Sequence, residues 1–254
     1  MIFIRHILSI LMLLATGFAA AQVSTQEVAG KNVAVNLLAE VSSKSAADWL
    51  SYRDAYKAML WFEKYGKPKN LIQNHYQVSA KDKNASIETL RLSLVSKSTR
   101  LNLPLDATGR TVLPLLKAAY DDNAELILNQ KANQYQFRAR VSILIRPDGI
   151  YEAADLRAAC EQLLAYQNTL GNDGLRGKKC SGVRFVYAKK SLDTLVELRI
   201  AERNAQVLPV TEGAAFWDEN NENFKTVNYV FSSGLEKMQL VTRSAPIAIS
   251  AQFN

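Results

Sequence analysis

Histidine is nearly missing from this 254-residue chain, with His6 and His75 the only two. A Ser-His-Asp triad would have to be built on one of them. Catalytic zinc, which usually draws on two or three imidazoles or a thiolate, has little to work with. Cysteine is as scarce: Cys160 and Cys180 stand alone. No P-loop, dinucleotide fingerprint or nucleophile-elbow pattern occurs, so nucleotide and α/β-hydrolase chemistry find no support. There is no internal repeat, no low-complexity tract and no long linker. These absences imply a chain without a cofactor and without a metal site.

The amino terminus carries the first positive signal. Met1 to His6 includes the basic Arg5, Ile7 to Gly17 is apolar except for Ser9 and Thr16, and Ala19-Ala20-Ala21 follows. A basic start, a short apolar core and small residues form a signal-peptide pattern, and a permanent span would need about 20 apolar residues. Cleavage is expected after Ala21, giving a periplasmic or secreted protein with no transmembrane segment. No cysteine follows the apolar core to accept a lipid. Losing Arg5 lowers the formal charge of +7 by one. Hydrophobic residues make up 48% of the chain, which excludes a disordered passenger. In an oxidising compartment Cys160 and Cys180 are expected to pair. A bridge closing a loop of about 20 residues contributes roughly 3 kcal/mol in the chain-entropy picture. The Cys-x-x-Cys spacing of a reactive thiol pair is absent.

Beyond the leader, Trp49, Tyr52, Tyr56, Met59 and Leu60 recur at helical spacing, with Ser45 and Asp48 as the cap and Gly66-Lys67-Pro68 as the stop. That predicts an amphipathic helix over about 46–65. From Leu71 the period becomes two, with Ile72, Tyr76 and Val78 on one side and Gln73, His75 and Gln77 on the other. Leu90, Leu92 and Leu94, then Leu101, Leu103 and Leu105, continue it, and Asp106-Ala-Thr-Gly109 reads as a turn before Thr111 to Leu115. Leu126 and Leu128 make another short strand, and Phe137, Ala139, Val141, Ile143 and Ile145 form the clearest alternation. After the turn Pro147-Asp148-Gly149, a second helix is predicted from Tyr151 to Leu170, capped by Asp155 and carrying Cys160. Strands follow at Val183–Tyr187, Val196–Ile200, Val227–Phe231, Met238–Val241 and Ile247–Phe253. The expected fold is mainly β with helices (α+β): antiparallel, sandwich-like β regions, an N-terminal amphipathic helix and a disulfide-pinned helix. The expected organisation is a leader at 1–21, a helical segment at 22–69 and a β-rich domain at 70–254, with any division near 151–180.

Candidate sites are few. Phe216-Trp217-Asp218 sits beside Glu219, Asn220 and Asn221, aromatics in a polar surround that can stack on sugar rings and hydrogen-bond their hydroxyls. Asp218, Asn220 and Glu222 alternate as calcium-loop ligands do, but Asn223 and Tyr229 stand where that loop wants glycine and a bidentate acid. Two acidic clusters, Asp121-Asp122-Glu125 and Asp218-Glu219-Glu222, could serve carboxylate chemistry, which needs only two acids at the right separation. Basic residues gather at Lys64, Lys67 and Lys69, at Arg138, Arg140 and Arg146, and at Arg176, Lys178, Lys179 and Arg184. Arg138 and Arg140 share the outward side of their strand, whereas His75 is expected to be an exposed bystander.

The sequence thus points to an exported, non-enzymatic binding or structural module. Its expected partner is an envelope glycan or an envelope protein, met through Phe216, Trp217, Asp218, Arg138 and Arg140, and nucleic acid is excluded by location. A carboxylate-dependent hydrolase of envelope polysaccharide is the alternative. An outer-membrane barrel fits less well, because its strands run about 9 to 11 residues and two helices interrupt the alternation here.

Overall fold

A computed structural model describes residues 49–81, 85–200, 205–220, 223–232 and 238–254. The leader, the Ser45–Asp48 cap and the start of the first predicted helix lie outside the described residues. Within them the chain is an α+β protein dominated by antiparallel sheet. One sheet runs β1 (Trp49–Ser51), β6 (Glu125–Leu128), β3 (Leu92–Val95), β4 (Arg100–Leu103), and a second has β2 (Ile72–Ala80) between β5 (Arg110–Thr111) and β7 (Tyr135–Ile143). A third runs β11 (Gln206–Val207), β10 (Val196–Ile200), β14 (Met238–Thr242), β8 (Ile150–Glu152). The fourth runs β12 (Val210–Gly213), β13 (Phe224–Val230), β9 (Cys180–Ala188), β15 (Ala248–Phe253). Three α-helices interleave: α1 (Tyr52–Glu63), α2 (Lys117–Asp121) and α3 (Ala153–Thr169).

Helix α1 begins later than its periodicity predicts. Trp49 to Ser51 pair with Ile127 to Glu125, so the sheet takes these residues and the helix starts only where pairing ends. Ser51 then caps it, its hydroxyl accepting from the Asp54 N–H at 3.3 Å. The buried face is Tyr52, Ala55, Met59 and Phe62 rather than the whole predicted stripe, and Tyr56 and Leu60 are half-buried at its margin. In α3 the shift is smaller. Tyr151 belongs to β8, opposite Leu240, and Asp155 lies in the first turn but is not the cap. Leu156, Ala159, Cys160, Leu163 and Tyr166 form the inner face. Cys160 and Cys180 are bridged, with Cα atoms 6.0 Å apart, which ties α3 to the first residue of β9.

Two large apolar clusters fill the interior. One joins α3 with β9, β13, β14 and β15 through Leu163, Phe185, Val227, Leu240 and Ile249. The other joins α1 to the first sheet through Tyr52, Met59, Leu92, Leu94, Leu126 and Leu128. The β2–β7 ladder borders both. On one side it sets Ile72 against Ile143, Asn74 against Val141, Tyr76 against Ala139 and Val78 against Phe137. The opposite side carries Gln73, His75, Gln77, Arg138, Arg140 and Ser142, and that polar side is covered too. The predicted turn at 106–109 is present, but the strand after it is only Arg110–Thr111, because Pro114 lacks the N–H a ladder needs. Gly109 holds φ +76°, and a Cβ there would lie 2.0 Å from the Val78 carbonyl oxygen. The short strands β8, β11 and β12 go unpredicted because they lack the alternating leucines that mark β3, β4 and β6.

Candidate functional site

The polar side of the β2–β7 ladder is roofed by the connection between β12 and β13. Ala214, Ala215 and Phe216 are buried there, with Val186, Phe224 and Ala248 completing a third, small apolar cluster. Two residues further on, Asp218 and Glu219 turn back over the ladder. Alternation puts Arg138 and Arg140 on one side of β7, two positions apart. Both guanidinium groups therefore reach the same carboxylates.

The contacts are dense. Arg138 Nη1 donates to Asp218 Oδ2 at 2.6 Å, and its Nη2 lies 3.3 Å from Glu219 Oε1. Arg140 donates from Nη1 to Asp218 Oδ1 at 2.8 Å and from Nη2 to Asp218 Oδ2 at 3.1 Å. The Nε–H groups of both arginines donate to the Gln77 amide oxygen, whose NH2 serves Glu219 and the Thr108 carbonyl. Arg110, the first residue of β5, extends the network. Its guanidinium donates twice to Asp106 Oδ2, to the Thr108 and Ser142 hydroxyls and to the Ile247 carbonyl, while its backbone N–H donates to Asp106 Oδ1. The Arg140 and Arg110 guanidiniums sit 4.4 and 5.5 Å from the Phe216 ring centroid.

Burial dominates the electrostatics. Arg140 is 5% exposed, and desolvation pulls its pKa below the usual range despite the Asp218 and Glu219 charges that oppose the shift. Burial likewise raises the Glu219 carboxyl against the pull of Arg140, Gln77 and Arg138. Desolvation thus opposes the charged form of both groups, and their mutual attraction and the Gln77 hydrogen bonds oppose that in turn. A carboxylate in such a grip makes a poor base, because taking a proton means breaking charge-assisted hydrogen bonds. The arrangement therefore fixes the loop tip firmly and leaves its outer edge for contact.

That edge is Trp217, half-buried, with its ring 5.9 Å from Phe253 in an edge-on contact, together with the partly open Asp218 and Arg138 side chains. Residues read from two separate segments, Phe216-Trp217-Asp218 and Arg138-Arg140, are thus brought to one place. Phe216 itself is internal, 1% exposed, so any outward contact falls to Trp217 and not to both rings. The outward side of β7 is not a solvated basic face, because the β12–β13 loop covers it.

His75 is also misplaced by sequence. It lies in register with Arg140 and is half-buried, with its Nδ1 lacking a hydrogen-bond partner. Burial first, and the Arg110 charge second, push its pKa down to about 4, so it is neutral at neutral pH. Glu222 lies outside the described residues, and several of the other sequence candidates are engaged elsewhere. Asp122 is engaged by Ser96 and Ser98, whose hydroxyls lower its pKa, and Asp121 pairs with Lys117. Lys69 caps the Phe62 and Glu63 carbonyls at the end of α1, while Arg184 bonds Asn228 and the Ala214 carbonyl. Asp218 Oδ atoms serve arginines, and among the described residues no group of three His, Cys, Asp or Glu side chains could hold a metal ion. The components that sequence reasoning misses are Arg110 and the role of Gln77. The available signal was that the polar sides of β2 and β7 are both rich in amides and guanidiniums, a pattern suited to a buried network.

Among the described residues no helix is long and apolar enough to cross a membrane. The formed disulfide is of the kind kept in compartments more oxidising than the cytosol. Comparison of the chain with protein-family models, with curated proteins and with solved structures finds no match.

Proposed function

We propose that this chain is an exported, non-enzymatic module, periplasmic or secreted, that binds a cell-envelope glycan at the rim formed by Trp217, Asp218 and Arg138. The observation that carries this reading is the convergence of a half-exposed indole with a carboxylate and a guanidinium on a loop tip fixed from beneath by Arg140 and Gln77. An aromatic face beside fixed polar groups suits a sugar ring, which offers C–H bonds on one side and hydroxyls at its edge. The ion pairs act as scaffolding, so the rim is organised before a ligand arrives and less ordering entropy is lost on binding. The carboxylate-hydrolase alternative gains one point from the raised Glu219 pKa and loses it to the arginines that occupy Asp218 and Glu219.

Retention of the purified chain on peptidoglycan, outer-membrane material and soluble periplasm, at low and high salt, tests the proposal. Glycan retention that persists at high salt supports the rim, whose aromatic contact is not screened. Retention only on a discrete protein would replace the glycan with a protein partner, and turnover of any polysaccharide would overturn the non-enzymatic reading.

A further inference from the structure

Helix α1 has, over its second half, an outer face that is exposed among the described residues. Its inner face is Tyr52, Ala55, Met59 and Phe62. At about 100° per residue, Lys57, Trp61 and Lys64 fall within roughly 60° of one another on the opposite side. All three are exposed, and Trp61 is 67% exposed, more than either Trp49 or Trp217. Lys67, just past the helix, is exposed as well. Among the described residues the ammonium groups of Lys57, Lys64 and Lys67 form no ion pair, and the Trp61 indole meets no aromatic partner. Of the acids on the helix, Glu63 lies round toward the inner side, while Asp54 lies on the same side one turn before Lys57 without pairing with it, so Lys57, Lys64 and Lys67 leave the patch net positive.

We propose that this face docks the protein reversibly on an anionic lipid surface, with Trp61 at headgroup level and Lys57, Lys64 and Lys67 against phosphate groups. The lysines alone would suit any polyanion, but the indole decides for lipid. A large exposed ring with a polar N–H is matched to the membrane–water interface, where one end is apolar and the other wet. Unpaired lysines beside it add attraction to anionic headgroups, which falls off within a Debye length. Because α1 is already committed to the core through its other face, only side chains reach the bilayer, so the contact is peripheral.

Sedimentation with vesicles tests this, comparing equimolar phosphatidylglycerol and phosphatidylcholine with phosphatidylcholine alone. The wild-type chain, W61A and K57E/K64E are prepared identically, so that anything contributed by the apolar amino terminus cancels. The expected result is binding to the anionic vesicles that weakens with salt. Each lysine near a charged surface contributes about a factor of five, so K57E/K64E should lose at least about 25-fold. W61A should lose about fivefold, the share for an aromatic only half-withdrawn from water, together with a blue shift of tryptophan emission seen in the wild type. Equal retention on neutral vesicles, or unchanged binding by W61A, would overturn the proposal. So would binding of soluble dextran sulfate with no retention on anionic vesicles, which would make the patch a polyanion site.

Discussion

The Arg140 guanidinium lies 4.4 Å from the centre of the Phe216 ring, so the charged layer on the β2–β7 ladder and the small apolar cluster beside β15 meet face to face. A cation over an aromatic face is attracted by the ring quadrupole, and more strongly where water is excluded. The same contact keeps Arg140 aimed at Asp218. Removing it should separate the two roles of the site, holding the loop and presenting its rim.

Arg140→Ala leaves Asp218 and Glu219 short of their buried partner, and breaking one side of such a pair costs about 3 to 5 kcal/mol. Asp218→Asn should cost less, since Arg140 retains Glu219 and Gln77. Urea denaturation of both single variants and the double variant checks this. A coupling energy near zero would show that the pair does not hold the loop.

His75 gives a pH dependence with a definite sign. Its pKa falls from 6.5 to about 4 on folding, so the folded chain binds that proton less readily than the unfolded chain. The stability that comes from a neutral His75 is complete above about pH 6.5 and is lost as pH falls toward about 4. Burial is the main cause of the lowered pKa, the Arg110 charge on β5 adds to it, and Asp106 in the preceding turn opposes it. His75→Gln should flatten the fall of the urea midpoint across that window. Parallel profiles for the two proteins would contradict this assignment.

The bridge between Cys160 and Cys180 closes a separation of 20 residues. Cys160→Ala/Cys180→Ala should lower stability by about 3 kcal/mol, as should reduction of the wild type. Thermal melts with and without reductant measure it, and coincident melts would mean that the packing of α3 on β9 suffices.

Gly109→Ala places a methyl group against the Val78 carbonyl and forces a left-handed φ on alanine. A loss of at least about 2 kcal/mol is expected, because backbone on one side and strain on the other leave no cheap relaxation. Since the turn delivers Arg110 to Ser142, the His75 profile should shift too. An unchanged midpoint would show that the turn relaxes freely.

Legibility in the sequence followed the physics of each element. Alternation at Phe137 to Ile143 located β7 and the sides of its residues, because a period of two survives wherever one side meets an apolar core. It could not tell that the other side is buried too: Arg138 and Arg140 look the same on a solvated strand as under a roof. The cover comes from residue 216 onward, nearly eighty positions away, and no local pattern announces it. The disulfide was legible because only two cysteines exist. The start of α1 was not, since the pairing of Trp49 with Ile127 is non-local and overrides helical spacing. Trp217 was legible as an unusual residue in a polar loop, while the burial of its neighbour Phe216 was not.

The most direct test of the account is the binding of Trp217→Ala to whichever glycan fraction retains the wild type, measured beside its thermal midpoint. The account predicts at least a tenfold loss of affinity, about 1.4 kcal/mol, with a midpoint close to that of the wild type, because Trp217 lies outside the Arg140–Asp218 network. Undiminished binding by a folded Trp217→Ala protein would contradict it.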